Sequence, residues 1–216
     1  MYIFTGSVEN SNQTVEMSKD VRKKILEAAS EAFSAYGYDK TTVEDIAKMA
    51  GKAKTTVYYY FEGKAEIFAA ALEEEVRAMQ DGLAVYLNPT SGNIVPSLRD
   101  YLKKRMDALL GSRLYRKFLV EAIMRGNRSE YGSILLKARE PIDLAERQFF
   151  SLVCAFAKET GALDNKVEPE IFAEMLTMVL RGVEVQILLS DDEAASMATY
   201  DEMVNFITNT DNYSGR

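Results

Sequence analysis

Residues 42–64 read TVEDIAKMAGKAKTTVYYYFEGK, and this stretch decides the fold. Thr42, followed three residues on by Asp45, is a variant of the capping box, so a helix opens there. Val43, Ile46, Ala47 and Ala50 share its inward face, and the small alanines let another helix approach closely. Gly51 stands where a tight helix–helix turn needs a positive φ. A second short helix is expected over about 54–61, ended by Glu62-Gly63. Two short helices joined by a glycine turn suit an element that lies across one DNA groove and inserts its second helix into it.

The second short helix has the chemistry for that task. Lys52 and Lys54 place two cations beside the turn. Thr55 and Thr56 add hydroxyls at the helix start, where free N–H groups and the positive dipole end favour a phosphate. Tyr58, Tyr59 and Tyr60 are successive, and three successive residues cover about 300° of a helix. At least one phenol therefore faces outward, able to reach a phosphate or a thymine methyl. Val57 and Phe61, four apart, are core candidates. Lys64 begins a long helix over about 64–87 and is a candidate phosphate clamp. Thr42 caps its helix and is a further candidate DNA contact.

Upstream, Val21, Ile25, Ala28, Ala29, Ala32, Phe33 and Tyr36 follow one helix face, and Gly37 stops that helix. Residues 1–18 are polar and expected to be a flexible leader, with Met17 an alternative start. They have no basic region before a long apolar run, as a secretory signal would. The head is thus expected over 19–64. Downstream, residues 88–93 (NPTSGN) make a turn or linker. Helices follow over about 96–110, 114–125, a stretch containing Pro141 that reaches 160, 169–189 and 193–208, with a loop at 126–132. No strand-like alternation persists, so the class is all-α, about nine helices, with a helical body over 65–216.

Composition narrows the function. The 216 residues carry a formal charge of −7, one cysteine and no histidine. Residues 19–64 are net +2 and the rest of the body net −7, a weakly basic head on an acidic body. That asymmetry is compatible with DNA contact through the head. The lone Cys154 forbids an intrachain disulfide and fits a reducing, cytoplasmic setting. No run reaches the roughly 20 apolar residues of a membrane span, so no membrane partner is expected. Enzyme chemistry finds no support: there is no nucleophile motif, Gly-rich phosphate loop or metal-ligand cluster, and no cofactor is expected.

The head resembles the N-terminal helix-turn-helix of TetR-family transcriptional regulators. The resemblance rests on Phe33, Gly37, Tyr38, Thr41-Thr42, Ile46-Ala47, Ala50-Gly51, Thr56-Val57-Tyr58, Tyr60-Phe61 and Lys64. It covers about residues 19–70; beyond them, length and helical makeup agree with the family's nine-helix plan. It implies that Thr42, Thr56, Tyr58, Tyr60 and Lys64 mainly hold phosphates, and that Lys54, Thr55 and Tyr59 lie nearest the base edges. Three positions depart from the family pattern. Lys52 replaces an apolar residue after the turn glycine, Ala53 replaces a Ser or Thr cap, and Thr55 replaces a Gly, Ala or Pro. The base preference is therefore not transferable.

The resemblance further implies a body that binds a small-molecule effector and forms a homodimer on a palindromic double-stranded operator. The effector would release a repressor from DNA. Met106, Leu110, Phe118, Met124, Phe149, Phe172, Met175 and Met178 are the candidate ligand-binding residues, being flexible or aromatic and spread over several helices. Thirteen of the nineteen positions over 171–189 are apolar and surround the axis. Such a helix is either the centre of a monomer core or packed inward on its own domain and outward on a partner. Tyr200, Met203, Val204 and Ile207 offer a second partner face, giving a four-helix interface in a twofold dimer. The competing reading is a helical protein-binding adaptor with a non-functional head.

Overall fold

Short-range signals build the first three helices. In a computed structural model describing residues 6–87, 94–125, 131–161, 163 and 166–209, α1 runs Gly6–Tyr36, α2 Val43–Met49 and α3 Lys54–Tyr60. Gly37 and Gly51 adopt φ of +82° and +62°, the left-handed conformations that end α1 and α2. The Thr42–Asp45 capping box is complete. Asp45 N donates to Thr42 Oγ1 at 3.2 Å, and Thr42 N donates to Asp45 Oδ2 at 3.0 Å. α3 has no such help, since Ala53 makes no side-chain cap.

Most of the stretch expected to be a leader is the N-terminal part of α1. The inward face of α1 keeps Ile25, Ala28, Ala29, Ala32 and Phe33, but Tyr36 is exposed, against expectation. Tyr36 is the last residue before the backbone reverses at Gly37, and Tyr38 takes the buried place beyond it. The Tyr38 ring stacks on Phe33 at 5.8 Å, and Phe68 meets both edge-on at 5.2 Å.

The long helix α4 spans Lys64–Leu83, followed by α5 Ile94–Gly111, α6 Leu114–Arg125, α7 Gly132–Glu159, α8 Pro169–Leu188 and α9 Glu193–Thr208. The described residues thus form nine helices and no strand. Residues 88–93 and most of the loop at 126–132 lie outside the described residues. Pro141 sits inside α7, and Pro169 occupies the first turn of α8, where its missing N–H costs no helix bond.

The chain divides into two compact units, Met1–Glu74 and Glu75–Arg216. The division falls within α4, ten residues beyond the head edge at 64. The physical reason is that Ile67, Phe68, Ala71 and Leu72 are buried as part of the first unit. In the second unit α7 and α8 are the main helix pair, α9 lies on α5, and α6 joins α7. Glu75 ties α4 to α6: its carboxylate accepts from the backbone N–H of Arg113, Leu114 and Tyr115 at 2.8, 3.2 and 2.6 Å. A carboxylate there satisfies the free donors of α6 and complements its dipole.

One substitution type should have opposite effects at two glycines. Gly51 has positive φ and open space, so Gly51→Ala should cost about 1–2 kcal/mol through the backbone alone. Gly82 has ordinary helical φ and open space, so Gly82→Ala should stabilise by about 0.5–1 kcal/mol. Urea unfolding of the two variants checks the signs.

Candidate nucleic-acid interface and effector cavity

α3 presents one anchored side and one free side. Val57 and Phe61 are buried, as their spacing predicts. Tyr59 is 82% exposed, Tyr58 is half-exposed, and Lys54 and Thr55 are exposed. Thr56 and Lys52 are half-buried. Lys54 Nζ lies 3.5 Å from Glu44 of α2, but both side chains are largely exposed, so the pair holds the lysine weakly. The outward strip of α3 therefore carries a cation, a hydroxyl and two phenols.

Two candidate contacts are engaged within the first unit. Tyr60 turns back, its hydroxyl donating to Ser18 Oγ at 3.3 Å. Lys64 Nζ donates to the Tyr38 carbonyl at 3.0 Å and sits 4.4 Å from the Tyr38 ring centre. Lys64 thus pins the start of α4 to the turn after α1, by a hydrogen bond and a cation–π contact. Thr42 is exposed, but its hydroxyl donates to Asp45 Oδ2 at 2.6 Å. That hydroxyl and the Thr42 N–H hold the Asp45 carboxyl below its ordinary value.

The second unit places the ligand candidates differently from expectation. Met106, Phe118 and Phe149 are buried, and Leu110 and Phe172 half-buried. Met124, Met175 and Met178 are 71%, 60% and 66% exposed and point away from the core. None of the eight lines either described cavity. The reason is geometric. A helix apolar all round has two faces that composition cannot rank, and Met175 and Met178 fall on the outer one with Ile171 and Val179. α9 corrects the other expectation: Tyr200 and Val204 are buried, and the Tyr200 hydroxyl donates to the Leu102 carbonyl at 2.8 Å. The face read as a partner surface lies largely against α5, leaving Phe206 exposed.

The inner cavity of this unit is lined instead by charged residues and by α4. Arg105 of α5 donates from Nε to Glu146 Oε1 of α7 at 2.6 Å. Arg139 of α7 donates from Nη1 to Tyr115 at 2.6 Å and to Glu184 Oε2 of α8 at 3.1 Å. Arg139 also holds Asp143 at 2.9 Å, and Asp143 is answered by Arg181. Val76, Met79 and Leu83 supply the α4 side. Glu184 stands out in the sequence as an acid within an apolar run. Arg105, Arg139 and Glu146 do not, because each looks like one more charge on an amphipathic helix.

Burial opposes charge on both arginines, but the neighbouring acids outweigh it and keep them protonated. The Tyr101 hydroxyl donates to Glu146, and burial first, then the adjacent carboxylate, pushes this phenol far above its ordinary value. Below about pH 10, the usual value of an unfolded tyrosine, that contribution is fully present. It is lost as pH rises above this value, because the unfolded chain sheds the proton first. Thermal melting should therefore fall above about pH 10. Tyr101→Phe should melt lower at neutral pH and show a shallower alkaline decline.

Comparisons with known proteins match the first unit to a described family and the chain to a known fold. Residues 25–71 match the family described as bacterial regulatory proteins, tetR family. The regulator TtgR of Pseudomonas putida is 39% identical over 61 residues, 28% of this chain and 29% of that protein. The chain therefore aligns with less than a third of that relative's length. FadR from Bacillus subtilis, solved with stearoyl-CoA, superposes with a TM-score of 0.64 at 17% identity, covering 90% of this chain and 98% of that one. AibR, solved with isovaleryl coenzyme A and operator DNA, does so with 0.61 at 18% identity, covering 86% and 97%. At such identities the likeness is one of fold.

Proposed function

We propose that this chain, a member of the TetR family through its N-terminal unit, is a ligand-responsive DNA-binding transcriptional repressor. The exposed strip of α3 carries this reading: Lys54, Thr55, Tyr58 and Tyr59 stand free of the core while Val57 and Phe61 anchor the helix behind them. A short rod so held presents base-reading groups without unfolding anything. In this reading Lys54, Thr55 and Tyr59 face the base edges, and Lys52, Thr56 and Tyr58 hold phosphates. Thr42, Tyr60 and Lys64 contribute through their outward atoms while bracing the head.

The protein acts as a homodimer that presents two copies of α3 to a palindromic duplex. Ile171, Met175, Met178 and Val179 give α8 an exposed apolar face suited to a second copy. An effector in the body would displace the α4 wall formed by Val76, Met79 and Leu83. α4 runs unbroken from Lys64, so the displacement reaches the start of the helix in the head. Half-sites about 34–36 Å apart tolerate little change in the separation of the recognition helices. The effector must favour the released state; moving a population from 1:99 to 99:1 needs about 5.5 kcal/mol of differential affinity. Cytoplasmic work without an enzymatic step completes the reading; among the described residues no helix is long and apolar enough to cross a membrane.

Titration with duplex DNA at several salt concentrations tests it. Affinity should fall steeply with salt, by about 0.9 in the log–log slope per phosphate neutralised. Tyr59→Ala should weaken binding at least tenfold with no change in melting temperature, and Lys54→Ala should alter sequence preference. Absence of DNA binding at low salt would overturn the reading. Met178→Glu should shift sedimentation from dimer to monomer and weaken operator binding with it.

A further inference from the structure

We propose that the body reads its effector through hydrogen-bonding atoms of Arg105 and Glu146 that nothing in the chain fills, and that this effector is an uncharged, carboxamide-like molecule with an apolar remainder. The proposal rests on the regulator reading above and names the ligand class it requires.

Arg105 is 3% exposed and Glu146 fully buried. Glu146 Oε1 accepts two hydrogen bonds, from the Tyr101 hydroxyl and from Arg105 Nε. Glu146 Oε2 accepts none, and Arg139 Nη2 stands off at 3.9 Å. Arg105 Nη1 lies 2.6 Å from Glu184 Oε1, but outside hydrogen-bonding geometry, and Nη2 has no partner. Both residues line the same cavity. One wall thus leaves the Arg105 Nη2 donors and the Glu146 Oε2 acceptor unmatched, both withdrawn from water. Buried polar atoms of this kind are otherwise nearly always matched.

Charge decides what matches them. Two guanidinium groups, Arg105 and Arg139, stand against two carboxylates, Glu146 and Glu184, and Asp143 is answered by Arg181. The cluster is balanced. A ligand anion would bury a negative charge with no counter-ion of its own, and a ligand cation a positive one. A carboxamide adds no charge. Its carbonyl accepts from Arg105, and its NH₂ donates to Glu146 Oε2. Val76, Met79 and Leu83 on α4 and Ile142 on α7 supply apolar lining for the remainder. The cavity holds about 10 Å³, space for one water, so a larger guest enters only by pushing lining side chains aside. Met79 is the adaptable one. Entry of the ligand therefore presses on the α4 wall formed by Val76, Met79 and Leu83.

Benzamide, benzoate and benzamidinium carry a neutral, an anionic and a cationic head of nearly the same shape on one ring. Calorimetric titration of each into the full chain should show benzamide binding at least tenfold more tightly than either charged probe. Glu146→Gln leaves the cluster one charge positive and should reverse the order of benzamide and benzoate. Should that variant not fold, Met79→Phe narrows the cavity without touching its charges and should cut benzamide binding at least tenfold. Preference for a charged probe, no binding of any probe up to its solubility (a resident water only), or affinities indifferent to whichever variant folds would overturn the proposal. Duplex DNA titrated into the same sample separates the two readings. DNA binding without benzamide binding sinks this inference alone, and benzamide binding without DNA binding sinks the regulator.

Discussion

Buried charge is the constraint on which the helical body depends. Arg105, Arg139, Glu146 and Glu184 are withdrawn from water, and removing any one partner of such a set leaves an uncompensated charge inside. α5, α7 and α8 must therefore keep a single relative register in which the arginines meet the acids. Tyr101 and Tyr115 extend the same demand along α5 and into α6. Apolar packing around Phe118, Phe149 and Phe150 supplies the bulk of the burial, but it tolerates sliding far better than paired ions do. This is the specificity that an ionic core can confer at some cost in stability.

The head is held by different means. Its core is small and aromatic, with Phe33, Tyr38 and Phe68 in mutual contact and Lys64 lying over Tyr38. Positive-φ glycines and one complete capping box set the turns. Such local devices leave the outer strip of α3 free of structural duty. α4 carries both kinds of constraint: aromatic packing at its start, and the Glu75 carboxylate and the cavity wall further on.

The head was therefore largely legible in the sequence. Gly37, Gly51, Thr42–Asp45 and the Val57–Phe61 pair act over four residues or fewer, and residue type alone specifies them. Tyr36 shows the limit. Periodicity placed it inward, but a chain reversal one residue later handed its place to Tyr38. The inward turns of Tyr60 and Lys64 were likewise hidden, because Ser18 and Tyr38 are distant along the chain.

In the body, residue order determined that there are helices, about where they stop, and that 171–189 is apolar all round its axis. It did not determine which side faces which neighbour. Met175 and Glu184 sit on one helix with nothing local to tell the outward methionine from the inward acid. Only the meeting of α5, α7 and α8 turned Arg105, Arg139, Glu146 and Glu184 in and Met175 and Met178 out. A charge buried beside its opposite is stable where a charge buried alone is not, and that pairing exists only once the helices are packed.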